Sequence, residues 1–259
     1  MKNIIKQLYI NLNVEKALKK CWIMPAFQPI YSATTGELYG MEMLSRWIDP
    51  LYGVIYPSEF IPVIKEKGLI KVFDLYMLEY LYISQQLLDI HGIRNIVLSY
   101  NVSAEALDGQ DAFFRTELER ITKKRKGNRS SIRIEVNEAA MTSKAMNQLS
   151  RSIREMSDSG YHVWLDNFGS GYTAIDTLRC ADFRVIKIDM GSIEDCDERS
   201  MIFLKAIVKM ADFYRIKTLV KGIETEEQYN FVTRCGVNYV QGFYLGKPSS
   251  IRSYLKKSA

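Results

Sequence analysis

The sequence predicts an α/β fold, a TIM-type (β/α)8 barrel with one antiparallel strand near the N-terminus. Eight short apolar runs with strand character follow one another along the 259-residue chain. Most intervals between them carry helical periodicity, as in MNQLSRSIREMSDSG and DERSMIFLKAIVKMADFY. Alternating strands and helices on this scale are typical of a parallel barrel, in which the C-terminal ends of the strands share one mouth.

A leading helix is expected over residues 1–20, followed by the eight strands. The strand runs are FQPIYSA, LYGMEMLSRW, NIVLSYNVS, SIRIEVNE, YHVWLDNFG, FRVIKIDM, KTLVKGIE and YVQGFYLG. Only TTGE separates the first two runs, and so short a link suits a hairpin and not a parallel crossover. One of these two strands is therefore expected to be antiparallel.

The length suits one large core, and no Gly/Ser/Pro-rich linker interrupts the chain, so residues 1–259 are expected to form a single, stand-alone barrel domain. No apolar run approaches the ~20 residues of a membrane span. Four widely spaced cysteines and the absence of a signal-peptide core favour a cytoplasmic location. The chain has only two histidines, which disfavours a histidine triad or a zinc site, so any bound metal is expected to be a hard, oxygen-held ion.

The formal net charge of +5 is modest, and much of the local excess lies in KKRKGNR at 123–129. A basic groove for nucleic acid is one interpretation of this run. We favour a solvated helix end and loop, because no aromatic residues are interleaved with the charges. Neither a nucleic acid nor a membrane is therefore expected as a partner.

Polar side chains occur in or just after the apolar strand runs, where strand interiors should exclude charge. They are Glu42, Asn101, Glu135, Glu138, Asp166, Lys187, Asp189, Lys221, Glu224 and Gln241. A single carboxylate at a strand end is usually a helix cap. Several strands ending in this way together predict a functional site at the barrel mouth.

The motifs around these residues resemble the EAL domain family, the bacterial phosphodiesterases of cyclic di-GMP. FQPIYSATTGELYGMEMLSRW is similar to that family's opening segment, with Glu42-Met43-Leu44 at the place of the Glu-Ala-Leu motif. Further similarities are YPSEFIPVIKEKGLI, LSYNVSAEAL, IEVNE, LDNFGSGYTAIDTL, VIKIDM, GIETEEQ and QGFYLGKP. They run in order from about residue 13 to residue 255, and their combination is specific although each alone is weak.

The resemblance implies a barrel mouth that holds two divalent cations, Mg²⁺ or Mn²⁺, and a cyclic dinucleotide. By the same resemblance, the ligands of the first metal are Glu42, Asn101, Glu135 and Asp166. Lys187 matches a lysine that helps to place the catalytic water, and Glu138 matches a loop-supporting glutamate. The positions implied for nucleotide binding are Gln28, Glu42, Arg46, Asp189 and Gln241.

The ligands of the second metal depart from the family pattern. Asn167 stands where the family's second aspartate is expected, and Lys221 stands where a ligand glutamate is expected. Together these differences change the site by about three charge units, and like charges 4 Å apart repel by ~4 kcal/mol per unit pair at an effective dielectric of 20. We expect at most one bound metal, and we expect Lys221 to contact Asp166 or Glu135 inside the mouth. The alternative is a surface lysine without such a role, because the long side chain of lysine reaches solvent easily.

These features predict a degenerate EAL-like regulator without phosphodiesterase turnover. The resemblance implies binding of cyclic di-GMP, of a protein partner such as the flagellar master transcription activator, or of both. The alternative is an active phosphodiesterase that hydrolyses cyclic di-GMP to the linear dinucleotide. Similarity of the loop Gly169–Tyr172 to a family dimer-coupling loop leaves a homodimer open, although the same residues suit a simple tight loop. The stretch FDLYMLEYLYI at 73–83 is expected to be a helix in the core, and any exposed members of it are a candidate partner surface.

Overall fold

The structure, a computed structural model, describes residues 2–107, 113–142, 146–169, 174–193 and 195–255. Its strands are β1 Ile23–Ser32, β2 Leu38–Asp49, β3 Gly53–Ile55, β4 Val97–Asn101, β5 Ile132–Asn137, β6 His162–Asp166, β7 Phe183–Asp189, β8 Lys217–Lys221 and β9 Tyr239–Val240. Its α-helices are α1 Lys2–Lys19, α2 Pro57–Glu66, α3 Ile70–Ile90, α4 Phe113–Arg125, α5 Met146–Asp158, α6 Ala174–Cys180, α7 Glu198–Phe213, α8 Glu226–Arg234 and α9 Ile251–Leu255.

The strands close into the predicted barrel. Their order is β1-β9-β8-β7-β6-β5-β4-β2-β3, and an additional pairing of β1 with β2 closes the ring. Eight strands form this ring, while β3 is a short hairpin arm that pairs only with β2 among the described residues. Strand β1 runs antiparallel to both β2 and β9, and the other neighbours in the ring are parallel. The prediction of a barrel with one antiparallel strand is confirmed.

The last strand is much shorter than the apolar run YVQGFYLG indicates. Hydrogen bonding in β9 covers only Tyr239–Val240, after which the backbone turns over the end of β8. The N–H of Gln241 still donates to Val220 O at 2.9 Å, and the N–H of Tyr244 donates to Ile223 O at 3.1 Å. This turn places the side chain of Gln241 inside the barrel mouth, where it is 2 % exposed.

Helix α3 is a core element over the whole of residues 73–83. Phe73, Met77, Leu78 and Leu81 are buried, and the other side chains from 73 to 83 are buried or partly buried. The suggestion that exposed members of FDLYMLEYLYI form a partner surface is therefore wrong, because the docking of α3 on the barrel turns its apolar side chains inward. Exposed apolar residues lie instead on α1 and α7, at Ile4, Ile5, Leu8, Leu12, Ile202, Phe203 and Phe213.

The basic run at 123–129 lies at the end of α4 and in the turn that follows. Lys124 and Arg125 form ion pairs with Glu79 of α3, and Arg129 pairs with Glu119. These contacts suit a surface helix end with compensated charge. Among the described residues, no helix combines the length and apolar character that crossing a membrane requires.

Gly242 allows the turn after β9 to lie directly against β8. A Cβ atom at Gly242 would fall on the backbone carbonyl of Ile223. We expect Gly242→Ala to lower the free energy of unfolding by about 2–3 kcal/mol, because backbone cannot move aside as a flexible side chain can. The control is Gly92→Ala, at a positive φ of 73° with open space around it, which should cost about 1 kcal/mol from conformation alone. Equal losses in urea unfolding would contradict the steric explanation.

Candidate functional site at the barrel mouth

Strand pairing brings the predicted site residues into adjacent positions at one end of the barrel. Asn101 at the end of β4 lies beside Glu135 of β5, and Asp189 at the end of β7 lies beside Lys221 of β8. On the antiparallel side, Gln28 of β1 lies opposite Glu42 of β2. These side chains meet because the C-terminal ends of parallel strands share one rim.

The centre of the mouth is the ammonium group of Lys187, whose side chain is fully buried. Its Nζ donates to Glu42 Oε2 at 2.8 Å and to Glu135 Oε2 at 2.6 Å. One ammonium therefore connects strands β2, β5 and β7. Buried charges of this kind persist only when they are paired and hydrogen-bonded, and here each carboxylate supplies both requirements.

Two side-chain amides complete the hydrogen bonds around the carboxylates. Asn101 Nδ2 donates to Glu42 Oε1 at 3.0 Å and to Glu135 Oε2 at 3.1 Å. Gln241 Nε2 donates to Glu42 Oε2 at 2.9 Å. Glu42 thus receives hydrogen bonds from Lys187, Asn101 and Gln241, which fixes the orientation of its carboxylate.

A second ion pair lies beside this centre. Lys221 Nζ is 2.8 Å from Asp166 Oδ1, and the Asp166 side chain is 7 % exposed. The contact expected from the sequence is therefore confirmed. The carboxyl groups of Glu42, Glu135 and Asp166 thus face the two ammonium groups of Lys187 and Lys221.

The pKa values follow from this arrangement. Burial, with Glu42 close by, raises the pKa of Glu135 to about 7 against the opposing effect of Lys187. Burial alone would lower the pKa of Lys187, but the neighbouring carboxylates of Glu135, Glu42 and Asp166 raise it. Burial alone would raise the pKa of Asp166, but Lys187 and Lys221 outweigh it and hold that pKa below its usual value. Asp166 and Lys187 are therefore charged at neutral pH.

The backbone at Asn167 has a conformation that few residues tolerate. Its φ angle is +57°, in the left-handed region where asparagine and aspartate are the most tolerated residues after glycine. The backbone N–H groups of the next two residues form hydrogen bonds within the mouth. Phe168 donates to Lys187 O at 2.8 Å, and Gly169 donates to Glu138 Oε2 at 2.8 Å.

The remaining predicted residues are distributed over the rim. Buried Glu138 supports the backbone at Gly169, the contact that a loop-supporting glutamate requires. Gln28 donates to Gly246 O at 3.2 Å, and Asp189 accepts from the Gly191 N–H at 2.8 Å. Ser170, Gly171 and Tyr172 of the candidate dimer-coupling loop lie outside the described residues.

Arg46, the candidate phosphate-binding residue, lies further along β2 than Glu42. Its guanidinium group lies over the ring of Tyr56, 5.4 Å from the centroid, and donates to Ser45 O at 2.7 Å. It does not line either of the two cavities described next. In this conformation its contacts are with its own strand and with the start of α2.

Two cavities flank the charged cluster. The first, of about 260 Å³, is lined by Gln28, Glu42, Leu44, Asp189, Lys221, Gly222, Glu224, Gln241, Gly242 and Phe243. The second, of about 370 Å³, includes Leu44, Lys65, Phe73, Asp74, Tyr100, Asn101, Ser103 and Asp166 in its lining. Leu44 borders both, so the mouth offers room on either side of the carboxylates.

Sequence reasoning missed several residues of these cavities. Phe243 is 53 % exposed at the first cavity, and Lys247 Nζ lies 5.8 Å from its ring centroid. An exposed aromatic inside the motif QGFYLGKP is the signal that could have identified it. Asp74 of α3 borders the second cavity, and no local pattern in the sequence distinguishes it from a helix surface acid.

The oxygen atoms of the mouth are chemically suited to bind one hard divalent cation. Glu42, Glu135, Asp166 and the amide oxygen of Asn101 are the oxygen ligands that Mg²⁺ and Mn²⁺ take, and Glu135 Oε1 is a buried oxygen without a hydrogen-bond partner. Yet within the described ranges no three Asp, Glu, His or Cys side chains are arranged to hold a metal ion. The carboxylates are instead grouped around the two ammonium ions.

Comparison with known proteins agrees with this geometry. The family model "EAL domain" matches residues 12–248. The chain belongs to the EAL domain family. Among the curated proteins, this EAL domain is 29% identical over 269 residues to the bifunctional diguanylate cyclase/cyclic di-GMP phosphodiesterase MucR of Pseudomonas aeruginosa, covering 99% of this chain and 37% of that protein. It is also 29% identical over 249 residues to the cyclic di-GMP phosphodiesterase PdeR of Escherichia coli, covering 95% of this chain and 37% of that protein.

Solved structures give the same fold. The phosphodiesterase PaMucR in complex with c-di-GMP superposes with a TM-score of 0.87 at 26% identity, covering 95% of this chain and 99% of that one. The EAL enzyme Bd1971, in its cAMP- and cyclic-di-GMP-bound form, has a TM-score of 0.87 at 22% identity, covering 99% and 70% of the two chains. The chain thus spans little more than a third of the length of MucR and PdeR, and nearly all of the solved PaMucR chain.

The ion pair between Lys221 and Asp166 should be measurable in the stability of the fold. Because Lys221 helps to depress the pKa of Asp166, the stabilisation is present at neutral pH and is lost only as the pH falls below the ordinary aspartate pKa of about 3.9. We expect Lys221→Met to raise the pKa of Asp166, followed by ¹³C NMR of its carboxyl group, and to lower the free energy of unfolding at pH 7 by about 1–2 kcal/mol. Lys187 limits the loss, because it remains close to Asp166.

The matched control is Lys217→Met, at the exposed start of the same strand. It removes the same charge away from the mouth and should change stability by no more than about 0.5 kcal/mol. Equal effects of the two substitutions, or an unchanged pKa of Asp166, would contradict a stabilising pair.

Proposed function

We propose that this EAL domain is a regulatory binding protein that recognises cyclic di-GMP and does not turn it over as a phosphodiesterase. The observation that carries the proposal is the ion pair of Lys221 with Asp166, at 2.8 Å. The family resemblance implies a second cation beside Asp166, and the ammonium group of Lys221 would repel it.

Electrostatics indicates which of the two substitutions, Lys221 or Asn167, contributes more to the proposed loss of the second metal. A divalent ion about 5 Å from an ammonium group is repelled by ~7 kcal/mol at an effective dielectric of 20. Asn167 could still offer a carbonyl oxygen to a cation, whereas the ammonium of Lys221 cannot act as a ligand. Lys221 therefore accounts for most of the predicted loss of the second metal, and with it the loss of turnover.

A single Mg²⁺ or Mn²⁺ remains compatible with the oxygen donors. Glu42, Asn101, Glu135 and Asp166 would hold it after the amide of Asn101 turns its oxygen toward the carboxylates. When bound, such an ion supplies charge that attracts a phosphate oxygen. The orientation of the carboxylates comes from the protein itself, because Lys187 is buried between Glu42 and Glu135 and bonds to both.

The shape of the mouth supports a dinucleotide as the ligand. The cavities of about 260 Å³ and 370 Å³ lie on either side of the cluster, and a ligand with two bases can extend into both. Phe243 offers an exposed ring at the first cavity, which suits stacking on a base. MucR and PdeR are cyclic di-GMP phosphodiesterases, and PaMucR was solved in complex with c-di-GMP, which agrees with this ligand class.

A protein partner is a further part of the proposal. Ile4, Leu8 and Leu12 lie at intervals of four residues on α1 and are 74 %, 60 % and 72 % exposed. A row of this kind on one face of a helix suits packing against another polypeptide. A transcription regulator, the class suggested by the family resemblance, fits a chain that signals by binding.

The competing function is an active cyclic di-GMP phosphodiesterase. The specific observation in its favour is that Glu42, Asn101, Glu135 and Lys187 converge with hydrogen-bonding distances between 2.6 and 3.1 Å. Manganese-dependent conversion of cyclic di-GMP to the linear dinucleotide, followed by chromatography, distinguishes the two functions. Multiple turnovers by the wild-type protein would overturn the proposal.

The double variant Asn167→Asp/Lys221→Glu tests the cause of the defect. The backbone at position 167 tolerates aspartate, and the change restores three negative charge units at the mouth. We expect phosphodiesterase activity with Mn²⁺ to rise by about a hundredfold, the usual scale of one electrostatic contribution to a transition state. Lys217→Glu, on the same strand but at the exposed end, is the control for net charge and should produce no gain. A double variant as inactive as the wild type would count against our explanation.

Phe243 provides a test of binding that does not depend on turnover. We expect Phe243→Ala to weaken cyclic di-GMP binding by about 5- to 150-fold in calorimetric titration, because base stacking contributes about 1–3 kcal/mol. Phe213→Ala is the control, since Phe213 is an exposed aromatic at the end of α7 and lines neither mouth cavity. Titrations in EDTA and in Mn²⁺ separate ligand binding from metal dependence. Equal affinities of the two variants would remove Phe243 from the binding site.

A further inference from the structure

Asp74 is a buried carboxylate that the charged cluster does not use. It lies on α3, is 2 % exposed, and faces the end of strand β4. Its Oδ1 accepts the hydroxyl of Tyr100 at 3.0 Å. Its Oδ2 accepts the backbone N–H of Ser103 at 2.9 Å and the Ser103 hydroxyl at 2.6 Å.

The residues that Asp74 holds lie on either side of Asn101. Tyr100 precedes it, and Ser103 follows it by two positions. On the opposite side, the Val102 N–H donates to Glu135 O at 2.9 Å, and strand pairing places Asn101 beside Glu135. The backbone that carries Asn101 is thus fixed by β5 on one side and by Asp74 on the other.

Asp74 does more than dock helix α3 on the barrel, because a buried carboxylate is a costly group for docking alone. Burial raises its pKa to about 6 in spite of the hydrogen bonds from Ser103 and Tyr100. Apolar residues such as Phe73 and Met77 already dock α3 on the barrel without that cost. A carboxylate with three directed hydrogen bonds fixes a position more narrowly than apolar packing does.

Asp74 and Asn101 also line the same cavity of about 370 Å³. A shift of the β4 end would therefore move the amide of Asn101 relative to Glu42 and Glu135, and would change the shape of that cavity. The position of the turn after Ser103 depends on Asp74 as well, because the Ala106 N–H donates to Ser103 Oγ at 3.3 Å.

We propose that Asp74 is a positioning residue that holds Asn101 in its place at the mouth, so that the strength of cyclic di-GMP binding depends on a carboxylate on α3. The part that concerns the ligand rests on the proposed function. The part that concerns Asn101 is independent of it and is tested separately.

The experiment compares Asp74→Asn with Tyr82→Phe, a change on the same buried helix. The hydroxyl of Tyr82 bonds to Thr122 and Tyr161, each at 2.9 Å, so its loss removes buried hydrogen bonds away from Asn101. The first measurement is the side-chain amide resonance of Asn101 in ligand-free protein, assigned by its disappearance in Asn101→Asp. The second is the affinity for cyclic di-GMP by calorimetry.

We expect Asp74→Asn to shift the Asn101 amide resonances, to speed their hydrogen exchange by about tenfold, and to weaken cyclic di-GMP binding by about tenfold. Tyr82→Phe should lower thermal stability while leaving both measurements unchanged. If Asp74→Asn does not fold, Tyr100→Phe, which deletes one hydroxyl of the same contact, should give the same changes at smaller amplitude.

Unchanged Asn101 resonances in these variants would overturn the positioning role. Displaced resonances with unchanged affinity would overturn its link to binding. If the wild-type protein does not bind cyclic di-GMP, the proposed function fails, and the amide measurement alone still decides whether Asp74 positions Asn101.

Discussion

The barrel mouth depends on the burial of one ammonium group. Lys187 has no exposed side-chain surface, and it bonds to carboxylates on two other strands, Glu42 on β2 and Glu135 on β5. Removing water from any one of these charges alone would cost several kcal/mol, and their mutual contacts offset that cost only while all three stay in place. Asn101 and Gln241 add hydrogen bonds to three of the four oxygens of Glu42 and Glu135, so the orientation of each group determines that of its neighbours.

Lys221 repeats this arrangement at the next carboxylate. Asp166 is nearly as buried as Glu135, and the ammonium of Lys221 supplies the charge that a cation would otherwise supply. As a result, a ligand that approaches Asp166 has to compete with the ammonium group of Lys221. A cation approaching Asp166 must displace a tethered ammonium group and not only water, whereas an anionic ligand in the first cavity meets the ammonium group of Lys221, which lines it. This difference is the physical basis of the binding function proposed above.

The sequence was most informative where a property is local or where the strand pattern repeats. The apolar runs predicted the barrel, and the four-residue link TTGE predicted the antiparallel strand. The contact of Lys221 with Asp166 could be predicted because the family resemblance implies that both residues lie at the second-metal position, where their opposite charges attract. The role of Asp74 could not, because its contacts with Tyr100 and Ser103 depend on how α3 docks, and helical periodicity gives only the buried face. The length of β9 was misjudged for a similar reason, since the backbone after Val240 forms a turn that hydrogen-bonds to Ile223 and does not continue as a strand.

The survival of residues that look catalytic is weak evidence for catalysis in such a site. If Glu135 were lost, Lys187 would be left as a buried charge with one partner fewer, and if Lys187 were lost, Glu42 and Glu135 would repel each other in a medium that screens poorly. Either loss destabilises the barrel whether or not any reaction takes place. Lys221 is different, because its side chain is 20 % exposed and its removal uncovers a single carboxylate that Lys187 still partly compensates. The residues that fold stability retains are therefore not the residue on which our proposal depends, and Lys221 is the position at which binding and turnover can be tested separately.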